Sequence, residues 1–282
     1  MKDYIIYNGS LIPEEELRIS PLNRGMMYGD GCFDTLRSYQ GKFLKLEEHY
    51  SRFIAGANFL GIEAPFYFND FKFKILELLE ASNMLETDAL VRVQCWRDGK
   101  RGYATDSSMA HWITSCAPIT SVKETIMLST VYTRAIPSRA LERQFKLSNG
   151  LNYIQAAREA TTSGADDALM LTMAEKISET TISNIFWVKG NTTFTPSLNC
   201  DLLPGITRDI VIELTRKMEG INLIEGEYHL EEILQAEAVF TTNSIREIRL
   251  VESIDNNQFD VKHSSIAGIK EQFEDFKQAN LK

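Results

Sequence analysis

The chain has 282 residues, 44% hydrophobic and 24% charged, with a net charge of −9 at pH 7. At about 150 residues per domain the length suggests roughly two domains. The composition is that of an ordinary globular protein, which excludes a disordered chain, a collagen-like repeat and a coiled-coil rod. The excess of acid argues against nucleic acid as the main partner, because phosphate-backbone binding needs a basic face. A small anionic ligand needs only a few local cations. No apolar run reaches the roughly 18 residues of a membrane span. The opening MKDYIIYNGS lacks the basic head, apolar middle and small-residue cleavage site of a signal peptide, so a cytoplasmic chain without a membrane partner is expected. Cys32, Cys95, Cys116 and Cys200 are far apart in sequence, and His49, His111, His229 and His263 are scattered. Neither a metal site nor a disulfide framework is expected, and each cysteine reads as a small buried hydrophobe.

In chain order, YIIYNGSLI alternates and turns at Asn8-Gly9, which predicts a hairpin. GCFDTLRSYQGKFLKL predicts a second strand pair around Gln40-Gly41. From Leu46 the period changes: Tyr50, Phe53, Ile54, Ala57 and Leu60 recur at helical spacing, with Gly61 as the stop. Phe71–Leu85 predicts another helix, and Ala89–Trp96 and His111–Cys116 predict strands. Residues 1–117 thus read as a small α+β domain, 118–124 as a linker marked by Pro118 and small residues, and 125–282 as a larger second domain. Within it, strands are expected at Thr125–Tyr132, Ala168–Met173, Asn184–Val188, Thr192–Thr195, Ala238–Thr242 and Ile248–Val251. Helices are expected at Asn152–Ser163, Thr207–Met218, Leu230–Ala236 and from Ser265 onward. No internal repeat is visible.

Three constellations can carry chemistry. Lys146, in RQFKLSNGLNYIQAAREA, precedes a helix with an apolar face at Leu151, Ile154 and Ala157. A lone lysine there reads as a surface charge or, if its environment lowers its pKa, as a Schiff-base nucleophile. Glu179, in ISETTISNIF, follows a strand-like segment and precedes hydroxyls and Asn184. It is either part of a hydrogen-bonded turn or a carboxylate facing a ligand cation. In LLPGITRDIVIEL, Pro204-Gly205 turns into a helix, read either as a helix N-capped by Thr207 or as a phosphate site at its free N–H groups.

The order of YGDG-x-F near residue 30, EEHYSRF near 50, Lys146, Glu179…Asn184-Ile185-Phe186 and Gly205-Ile206-Thr207-Arg208 resembles the class IV (fold type IV) pyridoxal-phosphate enzymes over about residues 4–254. That family includes branched-chain and D-amino-acid aminotransferases and aminodeoxychorismate lyase. The resemblance implies a two-domain α/β (α+β) fold, with a small N-terminal and a larger C-terminal cofactor-binding domain, and a homodimer. Lys146 matches the lysine that holds the cofactor aldehyde as a Schiff base and then serves as base at the substrate Cα. Glu179 matches the carboxylate paired with the pyridine nitrogen, where it favours the protonated ring. Arg52 matches the phosphate-binding arginine of E-H-x-x-R. Ile206 and Thr207 match the phosphate cup at the helix start, completed by Ser244 with Asn243 beside it.

The pattern also departs from the family. Thr180 stands where glycine usually follows the glutamate. Thr242-Asn243-Ser244 and GDGCF look more like the lyase than the branched-chain enzymes. RDGKRGYA, residues 97–104, is similar to a segment of lyases and some transaminases. There Arg101 is a candidate for gripping a substrate carboxylate, or else a solvated loop arginine. Phe33 and Arg37 are further substrate-facing candidates. The arginine–histidine trap of the D-amino-acid enzymes has no match. The resemblance therefore implies transamination between a small, branched-chain amino acid and a 2-oxo acid. Pyruvate elimination from aminodeoxychorismate, in the folate pathway, is the alternative. A catalytically silent cofactor-binding member is opposed by the intact Lys146, Glu179 and Arg52 set.

Overall fold

A computed structural model describes residues 3–120 and 123–282. Met1 and Lys2, the first residues of the segment read against a signal peptide, lie outside the described residues, as do Ser121 and Val122 in the expected linker. The chain divides into two units: Met1–Thr120 with Phe145–Asn149 and Asn280–Lys282, and Ser121–Gln144 with Gly150–Ala279. This differs from the single cut read from composition, which put Lys146 in the second domain. The reason lies in backbone hydrogen bonds. Phe33 N donates to Lys146 O and Ser148 N to Gly31 O, both at 2.9 Å, and Cys32 and Leu147 form an antiparallel bridge. Pro118 closes a strand rather than opening a linker.

The first unit is built on an antiparallel six-stranded sheet. β1 (Tyr4–Tyr7) and β2 (Ser10–Pro13) form the predicted hairpin, with Asn8 at φ 46° and Gly9 at φ 86°, the left-handed pair a two-residue turn requires. A short helix not anticipated from sequence, α1 (Arg24–Tyr28), starts on the Asn23 side chain, which accepts from Met26 N, and stops at Gly29 in the left-handed region. Then come β3 (Gly31–Tyr39), β4 (Lys42–Phe43), α2 (Leu46–Phe59), α3 (Phe68–Ala81), β5 (Ala89–Arg97) and β6 (Ala110–Pro118), in sheet order β2-β1-β6-β5-β3-β4. Helix α3 sits earlier than the predicted 71–85, because Asn83, at φ 55°, breaks the chain direction soon after Ala81. Along β3, Cys32, Asp34, Leu36 and Ser38 are buried, and Phe33, Thr35, Arg37 and Tyr39 are half-buried on the other face.

The second unit holds β7 (Thr125–Thr130), α4 (Leu151–Thr162), β8 (Asp167–Leu171), β9 (Ile177–Thr180), β10 (Asn184–Lys189), β11 (Thr192–Pro196), α5 (Ile206–Lys217), β12 (Asn222–Gly226), α6 (Leu230–Leu234), β13 (Ala238–Asn243), β14 (Glu247–Ile254), β15 (Asn257–Gln258) and α7 (Ser264–Asn280). Its mixed nine-stranded sheet runs β12-β11-β10-β13-β14-β7-β8-β9, with β15 on β14. Ile126, Leu128, Leu169, Ile177, Ile185, Trp187, Val239 and Val251 form one buried cluster. Strand β12 escapes a periodicity reading because it is an edge strand, half-exposed and paired only to β11. Helix α4 corrects the expected apolar face: Leu151 and Ile154 are exposed, and the buried positions are Ala156 and Ala160. Small side chains let that helix lie close to Ala168 and Met170 of β8, with which they form one cluster.

Candidate functional site

In the first unit the site residues gather around β3. Strand alternation sends Phe33 and Asp34 to opposite faces. On the half-buried face, Lys146 Nζ stands 4.7 Å from the centre of the Phe33 ring, and the Arg92 guanidinium 3.7 Å from it. Both are within cation–π range, so Phe33 supports two cations. Burial pulls the Arg92 guanidinium below its usual value, against the attraction of Asp34.

On the buried face Asp34 is inaccessible to solvent. Oδ2 accepts from Arg52 Nε at 2.7 Å, and Oδ1 lies 3.0 Å from Arg52 Nη2 and 2.8 Å from His49 Nδ1. Burial alone would raise the Asp34 pKa, but Arg52 and His49 outweigh it and hold the carboxyl well below the usual range. Burial pushes the His49 pKa down, with Asp34 opposing. The cluster is therefore a neutral His49, an ionised Asp34 and Arg52. His49 and Arg52 lie three apart on α2 and so reach the same strand residue. Asp34 fixes the orientation of the Arg52 guanidinium. The sequence signal for it, an acid in GDGCFD facing E-H-x-x-R, was present but is readable only once β3 is known to lie under α2.

In the second unit Glu179 lies within β9, not after a strand, and is 6% exposed. Oε1 accepts from the Tyr153 hydroxyl at 2.8 Å and faces Arg143 Nη2 at 3.4 Å. Oε2 accepts from Asn184 Nδ2 at 3.2 Å and Leu203 N at 3.1 Å. Hydrogen bonds and a cation at a carboxylate favour its charged form. Arg143 and Tyr153 are functional candidates that the sequence does not mark: Arg143 lies outside every predicted element, and Tyr153 lies within the helix expected at Asn152–Ser163. Asn184 also donates to Leu203 O at 2.8 Å, pairs in register with Thr242 of β13, and lies against Gly205 at the start of α5. It thereby gathers Glu179, the end of β13 and the start of α5 at one place.

The N-cap of α5 is Gly205, without a side-chain hydrogen bond, so Thr207 is inside the helix and does not cap it. The first N–H groups, those of Ile206 and Thr207 among them, therefore keep their donors for another acceptor. Arg208 of the same motif is structural: it is 2% exposed and donates to Pro196 O at 3.0 Å and Glu225 Oε2 at 2.6 Å. Asn243 builds the loop after β13. It accepts from Ile245 N at 2.9 Å and Arg246 N at 2.7 Å, and donates to Ser183 Oγ at 2.9 Å. Ser244 is half-buried, and no side-chain hydrogen bond engages its hydroxyl among the described residues.

The remaining candidates divide. Arg37 pairs with Asp88 at 2.5 Å and covers Tyr39. Arg101 is exposed. It does not line the polar cavity of about 520 Å³ in the first unit, which Arg24, Tyr28, Asp30, Arg97, Tyr103 and Asn149 help to enclose. The cysteines correct one detail. Although far apart in sequence, Cys32 and Cys95 face each other across β3 and β5 with sulfurs 3.5 Å apart.

Residues 31–254 match the family model for amino-transferase class IV, and the chain belongs to that family of pyridoxal-phosphate enzymes. A Methanocaldococcus jannaschii protein named as a branched-chain-amino-acid aminotransferase is 31% identical over 283 residues, spanning 98% of this chain and 96% of that protein. The aminodeoxychorismate lyase of Bacillus subtilis is 29% identical over 253 residues, 86% of this chain and 84% of its own length. Among solved structures, the branched-chain aminotransferase of Thermoproteus uzoniensis with norvaline shares the fold at a TM-score of 0.92 and 24% identity, covering 100% of this chain and 99% of that one. The two-domain α/β fold is thus that of the class IV enzymes.

The residues present suit such a cofactor. An uncapped helix start and the Ser244 hydroxyl offer donors for a phosphate. Glu179 offers a buried anion for a ring nitrogen. Arg143 Nε and Thr242 Oγ1 are buried without a hydrogen-bond partner among the described residues, polar atoms that folding alone leaves unsatisfied.

Proposed function

We propose that this aminotransferase transfers the amino group of small, branched-chain amino acids to 2-oxo acids. The observation that carries this reading is Glu179, a buried carboxylate held by Tyr153, Arg143, Asn184 and Leu203 N and so kept ionised to face a cationic ring nitrogen. Bound pyridoxal phosphate supplies an electron sink for the negative charge left when the substrate Cα loses its proton. Lys146 anchors the cofactor aldehyde. When it is not holding the aldehyde, Lys146 Nζ would take the substrate Cα proton and later return it. In the first unit Arg52, set by Asp34, is the residue for the cofactor phosphate; in the second unit the N–H groups of Ile206 and Thr207 and the Ser244 hydroxyl are the phosphate donors, and Asn243 shapes that loop. Phe33 and Arg101 are the candidates for facing the substrate, and Arg37, tied to Asp88, is the weaker one. The similarity to the Methanocaldococcus jannaschii protein supports the branched-chain substrate. The proposal includes a cytoplasmic homodimer. Among the described residues, no helix is long and apolar enough to cross a membrane.

The second reading, elimination of pyruvate from aminodeoxychorismate, is favoured by Thr242-Asn243-Ser244 and by the similarity to the Bacillus subtilis lyase. An absorption spectrum of the purified protein with a panel of L- and D-amino acids and a 2-oxo acid separates the two. A cofactor band that branched-chain amino acids shift, with 2-oxo acid product, is the expected result. A band that no amino acid shifts, with pyruvate released from aminodeoxychorismate, selects the lyase. Lys146→Ala is expected to abolish turnover while leaving the fold intact, and a variant that still turned over without added amine would remove Lys146 from its role.

A further inference from the structure

Arg143 is 5% exposed. Its Nη2 lies 3.4 Å from Glu179 Oε1, and its guanidinium carbon stands 5.0 Å from the centre of the Tyr153 ring. The Tyr153 hydroxyl donates to the same Oε1 at 2.8 Å. The three groups therefore form a closed triangle: cation on carboxylate, cation on ring, phenol on carboxylate. Its Nε is buried without a hydrogen-bond partner among the described residues. For folding alone this is a poor choice. A buried ion pair is often matched or bettered by apolar side chains of similar volume, and an unsatisfied N–H adds a further cost. A cation placed here has to be explained by what it does to Glu179.

A carboxylate facing a pyridine nitrogen shares one proton with it. Where that proton sits depends on the difference between the two proton affinities. A cation in contact with the carboxylate lowers the carboxylate's affinity more than that of a partner farther away, because Coulomb interactions fall with distance. We propose that Arg143 is a positioning residue acting through Glu179: with Tyr153 it keeps that carboxylate ionised, so that the shared proton stays on the cofactor's ring nitrogen. The inference rests on the assignment of Glu179 to that nitrogen made above. The strength of the electron sink in this enzyme is then set from behind the carboxylate, by two residues that need not touch the reacting atoms.

The test is the 15N resonance of the whole protein reconstituted with ring-15N pyridoxal phosphate. The wild type is expected to show a protonated nitrogen. Arg143→Met is expected to move the resonance downfield, toward that of a neutral pyridine, and Arg143→Lys, which retains the charge, to restore it. Tyr153→Phe keeps the ring and removes one donor. It is expected to move the resonance the same way by less, and supplies the answer if Arg143→Met does not fold. Folded Arg143→Met or Tyr153→Phe enzyme with the wild-type resonance overturns the proposal. Glu179→Gln separates the two readings. If it too leaves the resonance unmoved, Glu179 is not the nitrogen's partner and the underlying assignment fails. If it moves the resonance and the Arg143 and Tyr153 variants do not, only the role of Arg143 fails.

Discussion

Gly205 lies so close to Asn184 that a Cβ built on it would overlap the Asn184 side-chain oxygen. The glycine is not there for its backbone freedom, since its φ of −76° suits any residue. Nor is Asn184 free to move away, because its amide bonds Leu203 O at 2.8 Å and Glu179 Oε2 at 3.2 Å. Gly205→Ala is therefore expected to cost about 1–3 kcal/mol, the usual penalty of overpacking. By displacing Asn184 it should also weaken cofactor binding more than this loss of stability explains. Thermal denaturation and a pyridoxal phosphate titration measure the two effects. An alanine variant that kept both wild-type values would mean that Asn184 is not a fixed point of the site.

The Asp34, His49 and Arg52 cluster makes a prediction about pH. Asp34 is held below its ordinary value of about 3.9, so its stabilisation is fully present above that pH and is lost as pH falls toward the lower folded value. His49, neutral in the fold, is held below its ordinary value of about 6.5. As pH falls below about 6.5 the unfolded chain takes up that proton first, so stability declines from there. The first window, which opens at about pH 6.5, thus belongs to His49, and the loss below about pH 4 to Asp34. His49→Gln is expected to flatten the decline in the first window, as read by urea unfolding midpoints at each pH. Asp34→Asn is expected to cost about 3–5 kcal/mol near neutral pH, because it breaks the pairing of a fully buried carboxylate with Arg52 and His49. Equal pH slopes for wild type and His49→Gln would place the acid sensitivity elsewhere.

What the sequence disclosed and what it hid have physical causes. The hairpin at Asn8-Gly9 and the helix over α2 were legible because turn residues and a 3.6-residue period are local signals. Lys146, Glu179 and Gly205 stand out as candidates through a family resemblance, not through periodicity. The buried face of α4 was misread because alanine carries little hydrophobic weight, while Leu151 and Ile154 carry much and yet stay exposed. The segment around Lys146 was assigned to the second domain because chain order says nothing about its pairing with β3. Arg143 and Tyr153 carry no local signal as candidates, and that of Asp34 is readable only with β3 under α2, because each matters through a partner at least 18 residues away in the chain.

Arg24 holds the loop after β5 from the inside. Its Nε bonds Asp30 at 2.7 Å, and its terminal nitrogens donate to Lys100 O at 3.0 Å, Gly102 O at 2.6 Å and Tyr103 O at 3.3 Å. Asp30 also accepts from Arg97 Nε at 3.0 Å, so the start of the loop and its Lys100–Tyr103 stretch are tied through these arginines to one carboxylate. Hydrogen bonds to a charged donor contribute about 1.5–3 kcal/mol each. Arg24→Gln is expected to let the loop open and to speed tryptic cleavage after Lys100 or Arg101 about tenfold, as cleavage follows the population of the open form. Mass spectrometry of timed digests identifies the site. Unchanged cleavage would mean that the loop is held by other contacts.

Arg101 sits in that loop, exposed, while the arginines on either side of the cavity, Arg24 and Arg97, spend their donors on Asp30 and on backbone carbonyls. Those two are therefore unsuited to grip a substrate carboxylate, and Arg101 is the loop arginine left for it. If it does so, the contact is made with the bound substrate and adds little at the reacting bond. Arg101→Gln is then expected to raise KM for the amino acid about 10- to 100-fold, the weight of one charge-assisted pair, with kcat nearly unchanged. Arg101→Lys should recover only part of the loss, because an ammonium cannot form the two parallel hydrogen bonds of a guanidinium. Initial rates over a range of amino-acid concentrations give both constants. An unchanged KM in the glutamine variant would return Arg101 to the role of a solvated loop residue and send the search for the carboxylate's partner to Arg92, the half-buried cation that shares the Phe33 ring with Lys146.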